Sequence, residues 1–296
     1  MTKTILVPLD GSPESEAILP EVKRILPAGE TVHLLHIVPA FSAPVGFEPK
    51  NLLELHEQAL TYLEGLRTRE MSEYRGLDIV RWGDPATEIL HMTLRENIHL
   101  VAMSTHGRGN VARALLGSVA AEVVRKAQLP VLLTHPGVVR PTHAIRRILV
   151  PIEGGQLPHD LLETVKDLAG ASKAEIILFH AVRPVHDPSP QWASAWTLAS
   201  REAPVHRLQD IADNMEAEGS VAWACVGSGD PVEAILAQSK EREVDLIALS
   251  THGRKGLERL MEGSVAEGVL RRSTVPVLLQ KPLVVHQPAV MGESHG

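Results

Sequence analysis

A chain of 296 residues is longer than one hydrophobic core usually serves, so two domains of ordinary size are expected. Hydrophobic residues at 44% and charged residues at 22% give a globular rather than a disordered composition. The net charge is −7, with 14 basic against 16 acidic residues up to position 140 and 15 against 20 beyond it, which argues against a nucleic-acid-binding module in either half.

In chain order, Thr4–Leu9 is a short apolar run closed by turn residues, the pattern of a strand buried on both faces. Pro13 to Leu26 carries Ala17, Ile18, Val22, Ile25 and Leu26 at helical spacing and predicts one helix. Thr31–Val38 predicts a second strand, Leu52–Tyr74 a long helix and Asp78–Trp82 a third strand. Asp84 is placed to cap the next helix, with Pro85 at its first position, where a missing N–H is harmless. His99–Met103 predicts a fourth strand, Ala112–Ala127 a fourth helix and Val131–Thr134 a last short strand.

The second half repeats the first. Ile5-Leu6-Val7-Pro8-Leu9-Asp10-Gly11 returns 143 residues later as Ile148-Leu149-Val150-Pro151-Ile152-Glu153-Gly154. Gly83-Asp84-Pro85 and Ser104-Thr105-His106-Gly107-Arg108 return 146 residues later as Gly229-Asp230-Pro231 and Ser250-Thr251-His252-Gly253-Arg254. Gly117-Ser118-Val119-Ala120 returns as Gly263-Ser264-Val265-Ala266, and Pro130–Leu133 as Pro276–Leu279. Blocks in one order at nearly constant spacing make a tandem duplication. The expected domains are 1–140 and 141–282, joined near Pro136–Thr142, with 283–296 a loose tail; Gln191–Glu218 supplies the long second helix of the second half.

The alternation of strand and helix predicts an α/β fold: two tandem doubly wound, Rossmann-like domains, each a five-stranded parallel sheet with helices on both faces. Ligands of such sheets sit beyond the carboxyl ends of the strands, where the winding direction switches. That edge holds the turn after the first strand, Pro8 to Ser12, and the loop after the fourth, Ser104 to Asn110. Gly107, nine further residues, then Gly117-Ser118 place a sharp turn before a helix start, whose free N–H groups, dipole and hydroxyl suit phosphate oxygens. Arg108 and Arg113 can add charge; the second copy offers Gly253, Gly263, Ser264, Arg254, Lys255 and Arg259. The alternative is that these glycines are turn residues and the Gly-Ser pairs mere helix caps, preserved by duplication alone.

Aromatic residues, at 3%, are too scarce for stacking platforms, and the 15 histidines are scattered without a metal-binding pair. A single cysteine, Cys225, precludes an internal disulfide and fits a reducing compartment. The apolar run near Met1 is shorter than a signal-peptide core, and no stretch reaches membrane-spanning length; a cytoplasmic location is expected.

These blocks resemble the signature of the universal stress protein family: G-x-x-G, nine residues, then G-S or G-T, with ILVPxDGS at the first strand. The resemblance spans nearly the whole chain apart from the tail and fits a tandem two-domain member. It implies ATP or a related adenine nucleotide as ligand, possible magnesium, and a binding and regulatory role in stress response. By position it implies Pro8, Leu9, Asp10 and Ile37 for the nucleoside, and His106, Gly107, Gly117, Ser118 and Val119 for the phosphates, with Met103 and Ser104 beside them. The second set is Pro151, Ile152, Glu153, Ser250, His252, Gly253, Gly263, Ser264 and Val265. Ser104 and Ser250 replace the first glycine of the signature, and Glu153 replaces the aspartate with a carboxylate one methylene longer, so the first site is expected to bind better. The resemblance also implies that Val131–Leu133 pairs with Val277–Leu279 as an internal pseudo-dimer, with a homodimer as a further possibility.

No Walker loop, SGGxDS-type loop or convincing triad occurs, so no catalytic residue is assigned. Two alternatives to the binding module remain: a dimerisation scaffold that holds no nucleotide, and an ATPase or adenylating enzyme.

Overall fold

The computed structural model describes residues 3–39, 49–95, 97–106, 116–137, 142–152, 157–182, 205–251 and 265–282. The first half runs β1 (Thr4–Leu9), α1 (Pro13–Glu16), α2 (Leu19–Ile25), β2 (Thr31–Pro39), α3 (Pro49–Glu70), β3 (Asp78–Gly83), α4 (Pro85–Arg95), β4 (Leu100–Ser104), α5 (Ser118–Lys126) and β5 (Val131–Thr134). The second runs β6 (Arg147–Pro151), α6 (His159–Ser172), β7 (Glu175–Val182), α7 (205–217), β8 (Val221–Ser228), α8 (Pro231–Glu241), β9 (Leu246–Ser250), α9 (Val265–Arg272) and β10 (Val277–Gln280).

Two local differences from the sequence reading have plain causes. The helix expected over Pro13–Leu26 is two helices, broken at Ala17-Ile18. Pro20 has no N–H, and its ring would strike the Glu16 carbonyl in an unbroken helix, so the chain restarts with Pro20 in the first turn of α2. The long helix begins at Pro49 and stops at Glu70; the next residues fold back until the Tyr74 hydroxyl donates to the Leu26 carbonyl at 3.0 Å. Gly76 then passes against β2 at φ +141°, where an added Cβ would sit 2.0 Å from the Val32 oxygen, so glycine alone fits. Part of the helix expected over Ala112–Ala127, part of Gln191–Glu218, much of the linker and the 283–296 tail lie outside the described residues.

All ten strands form one sheet in the order β3-β2-β1-β4-β5-β10-β9-β6-β7-β8. Neighbours are parallel within each half, as the crossover helices require, and antiparallel at the single junction of β5 with β10. There Leu133 lies opposite Val277, Leu132 opposite Leu278 and Val131 opposite Leu279. The expected pairing of Val131–Leu133 with Val277–Leu279 is present and joins the two five-stranded sheets into one, so each half covers the edge the other would expose.

Alternation along the strands divides the core into two layers. Ile5, Val7 and Leu9 join the layer under α2, α3, α6 and α7; Leu6 joins that under α4, α5, α8 and α9. Both layers run through the junction: Leu132 and Leu278 lie in the first, Leu133 and Val277 in the second.

A second, polar contact ties the halves together. Arg24 on α2 reaches across to Asp245, just before β9, while also donating to Glu21 at 2.8 Å and to the His143 carbonyl at 3.0 Å. The side chains are 3%, 0% and 8% exposed for Arg24, Glu21 and Asp245, so this is a buried charge cluster. The other Asp245 oxygen accepts from the backbone of Arg146 and Arg147 at 2.8 and 3.2 Å.

Candidate functional site

The strand order 3-2-1-4-5 in the first half puts the switch of winding direction between β1 and β4. Their ladder covers two pairs, Ile5 with Leu100 and Leu6 with Val101, and stops short of Pro8, which has no N–H to extend it. Beyond that point the strand ends frame a cavity of about 390 Å³, within the range of small-molecule sites.

The lining residues come from six places, one of them Ser15 on α1. The end of β1 gives Pro8, Leu9 and Asp10; β2 gives His36, Ile37 and Pro39; β4 and the residues after it give Met103, Ser104, Thr105 and His106. The start of α4 gives Pro85 and Ile89, and the start of α5 gives Gly117, Ser118, Val119 and Ala120. Ten of the residues expected from the sequence are thus brought together: Pro8, Leu9, Asp10, Ile37, Met103, Ser104, His106, Gly117, Ser118 and Val119. Gly107, Arg108 and Arg113 lie outside the described residues.

The turn after β1 is held by its own side chains. One Asp10 carboxylate oxygen accepts from the Ser12 N–H at 3.0 Å and the Ser12 hydroxyl at 2.5 Å. Ser12 in turn caps α1, its hydroxyl oxygen accepting from the Ser15 N–H at 3.1 Å. Gly11 between them has φ +82°, the left-handed backbone that lets the chain reverse there. This Asp-Gly-Ser turn fixes where the carboxylate stands.

At the opposite wall Gly117 is the N-cap of α5, and its N–H donates to the Thr105 carbonyl at 2.8 Å. A Cβ at Gly117 would lie 2.9 Å from that carbonyl oxygen, so this glycine serves close approach of two backbones. The first intrahelical bond runs from Ala121 to the Gly117 oxygen, which leaves the N–H groups of Ser118, Val119 and Ala120 without helical acceptors at the positive end of the helix.

Between these walls a chain of side chains runs behind the cavity. Thr105 Oγ1 lies 3.0 Å from His106 Nδ1 and 2.9 Å from His135 Nδ1. His135 Nε2 meets the Leu270 carbonyl in the last turn of α9, across the junction. His106 is 9% exposed, and its other ring nitrogen, Nε2, is buried with no hydrogen-bond partner. On the β2 side His36 packs edge-on against Tyr62 of α3 at 5.9 Å. Burial first, and then the hydrogen bond to Glu16, hold the Tyr62 phenol far above its ordinary range, so it stays protonated.

The model of the universal stress protein family matches residues 1–135 and again 144–281. The chain belongs to the universal stress protein family. A universal stress protein of Mycobacterium tuberculosis is 30% identical over 188 residues, 62% of this chain and 61% of that protein. The alignment thus spans about three fifths of that relative's length. Another from the same organism is 25% identical over 97% of this chain and 96% of its own. The crystal structure of a universal stress protein from Archaeoglobus fulgidus superposes with a TM-score of 0.71 at 23% identity, covering 95% of this chain and 97% of the other, and bears on the fold.

The second half of this universal stress protein repeats the frame. The β6–β9 ladder again covers two pairs, Ile148 with Leu246 and Leu149 with Ile247, and stops before Pro151. Pro151, Ile152, Ser250 and Val265 stand at the positions of Pro8, Leu9, Ser104 and Val119, at strand ends or a helix start. Glu153, His252, Gly253, Gly263 and Ser264 lie outside the described residues.

Lining residues not singled out from the sequence are Ser15, His36, Pro39, Pro85, Ile89, Thr105 and Ala120. Thr105, Ala120 and Pro85 sit inside blocks that repeat, and His36 has its echo in His180, whose Nδ1 meets the Ile152 carbonyl at 2.7 Å. His135 had no such signal. Cys225 is half-buried, and burial pushes its thiol up, which leaves little thiolate for chemistry. Among the described residues no group of three or more His, Cys, Asp or Glu is placed to hold a metal ion, and no helix is long and apolar enough to cross a membrane.

Proposed function

We propose that the cavity of the first half holds ATP or a related adenine nucleotide, and that the chain works in the cytoplasm as a binding and regulatory module of the stress response. The observation that carries this reading is the cavity at the switch point, lined by His106, whose Nε2 is buried and unpartnered, and by the start of α5, where three N–H groups have no helical acceptor. Unsatisfied buried polar atoms cost about 1–3 kcal/mol each, and a ligand that meets them recovers that cost.

Polar groups and apolar walls are divided in a way that suits a nucleotide. Ile37, Met103, Ile89 and Leu9 give apolar surface for a base, while Ser118, Val119 and Ala120 bring N–H donors suited to phosphate oxygens. Among the described residues Asp10 is the one acidic side chain in the lining, placed for a ribose hydroxyl or for a magnesium ion brought with the phosphates. The scaffold alternative draws on the same turns: Asp10 is bonded to Ser12, and Gly117 is required by Thr105, with no ligand invoked.

Mass spectrometry of small molecules released from the purified protein, followed by titration with ATP, separates the two. Retained adenine nucleotide, or saturable ATP binding weakened by Asp10→Ala, is the expected result. Protein that carries none and shows no heat of binding at millimolar ATP is a scaffold.

A further inference from the structure

We propose that His106 is a proton-linked specificity residue of the first cavity: its Nε2 takes a proton from solvent when an anionic phosphate binds, so phosphorylated ligands are held in preference to neutral nucleosides and more tightly at lower pH. This rests on the nucleotide reading above and adds to it a role for one side chain.

The argument starts at the far end of the chain of hydrogen bonds. A backbone carbonyl can only accept, so at Leu270 the donor is His135 Nε2–H. In a neutral ring Nδ1 is then a lone pair, and it takes the Thr105 hydroxyl proton across 2.9 Å. With its proton committed there, Thr105 Oγ1 accepts from His106 Nδ1–H across 3.0 Å. A neutral His106 is left with a bare lone pair at Nε2, the buried nitrogen that has no partner. One carbonyl on α9 thereby sets the tautomer of an imidazole in the wall of the other half's cavity.

A lone pair is the wrong group to meet a phosphate oxygen, which is itself an acceptor. Adding a proton at Nε2 turns that repulsion into a charge-assisted hydrogen bond, while the Nδ1–H bond to Thr105 is kept. The start of α5 lies against this residue, Gly117 bonding to the Thr105 carbonyl, so further phosphate oxygens have the α5 N–H groups at hand. The other titratable groups around His106 are Asp10 at the end of β1, His36 on β2 and His135 beyond β5; α1 and α4 present Ser15, Pro85 and Ile89. Among its described residues the second half lacks the arrangement. Lys281 stands where His135 would, and Thr251 Oγ1 is buried without a partner.

Binding that favours the protonated ring is strongest at low pH and is lost as pH rises. Calorimetric titration with ATP in two buffers of different ionisation enthalpy, at about pH 8, reads proton uptake. Wild type should take up more protons than His106→Gln by an amount approaching one; comparing the two proteins cancels the nucleotide's own titration and any contribution of the second half. Wild-type affinity should fall by up to roughly tenfold per pH unit, with the flatter profile in His106→Gln. His135→Leu frees the Thr105 proton for His106 Nδ1 and puts a permanent hydrogen on Nε2, so it too should bind with a flattened profile. Thr105→Val cuts the same chain should that variant not fold. Adenosine should show no uptake in any of them. Equal uptake in wild type and His106→Gln overturns the proposal. So does a nitrogen-15 spectrum of the ligand-free protein with the His106 hydrogen on Nε2, and that result stands whether or not ATP binds. If ATP fails to bind but tripolyphosphate binds with the same uptake, the nucleotide reading falls and this one stands. If neither binds, both fall.

Discussion

The two halves place different chemistry at equivalent positions, and the clearest case lies at their junction. Registers match across the duplication: Ile5 pairs with Leu100 as Ile148 pairs with Leu246, so His99 and Asp245 are counterparts. By the same offsets Arg24 of α2 corresponds to Asp167 of α6, and Lys3 to Arg146. On one side of the pseudo-two-fold axis Arg24 is buried between Glu21 and Asp245. On the other, Asp167 meets Lys3 at 3.1 Å with its side chain 63% exposed. One contact is a desolvated cluster with directional bonds, the other a surface pair. The lesson is that duplication preserved the backbone frame while burial decided which charges matter.

The largest effect expected from this comparison is at Arg24. Arg24→Ala removes the guanidinium from between the buried Glu21 and Asp245 carboxylates and should destabilise by about 3–5 kcal/mol in urea denaturation. Replacing the cluster as a unit, with Arg24→Met, Glu21→Gln and Asp245→Asn together, should recover much of that loss. If the single change costs no more than a surface substitution, the junction does not depend on the cluster.

Next comes the difference between the two candidate sites. Asp10→Ala should weaken adenine nucleotide binding by one to two decades, about 1.4–2.8 kcal/mol, and Glu153→Ala by less. The motive is the Asp10-Gly11-Ser12 turn, in which Ser12 holds the carboxylate, against Glu153-Gly154-Gly155, which has no serine to do so. Two equal sites in calorimetry, or equal losses in both variants, would reverse that ranking. Gly117→Val is a poor probe of the same site, because the Thr105 carbonyl already forbids a side chain there.

A smaller effect tests whether matched caps are worth the same. Asp84 accepts from the Thr87 N–H at 2.9 Å and its hydroxyl at 2.7 Å, and Asp230 from the N–H groups of Val232 and Glu233 at 3.0 and 3.2 Å. Removing either side chain should cost about 1 kcal/mol in thermal or urea unfolding. Thr87, through its hydroxyl and then its N–H, holds the Asp84 carboxyl below its ordinary value. Its stabilisation is therefore present above the ordinary carboxyl range and is lost as pH falls through that lowered value. An Asp84→Ala variant should show a cost that shrinks in acid. The smallest change belongs to the exposed side of the junction: Asp167→Asn should cost less than about 1 kcal/mol and less still in high salt.

What the sequence disclosed depended on distance along the chain. Strands and the order of elements followed from local runs and repeated blocks, because residues such as Asp84 act through a neighbour three positions on; the ten cavity residues followed from the family resemblance that those blocks carry. The α1–α2 break was equally local, yet helical spacing of Ile18, Val22 and Ile25 outweighed Pro20 in the reading. Thr105 and His135 are 30 residues apart, and Arg24 and Asp245 are 221 apart; no periodicity joins such pairs. Thr105 meets His135 only once β4 and β5 lie side by side, and Arg24 meets Asp245 only once β5 and β10 have joined the halves.

The unequal junction has a consequence for what each half can associate with. Paired with a copy of itself, the first half would bring Arg24 toward Lys3 and His99, setting a guanidinium beside an ammonium with no carboxylate from across the axis. The second half, doubled, would set Asp167 against Arg146 while Asp245 lost the arginine it now holds. Each half is thus a cognate partner of the other and a poor match for its own duplicate. A single chain that carries both always supplies them one to one, so divergence after duplication could proceed on either side without loss of the assembly.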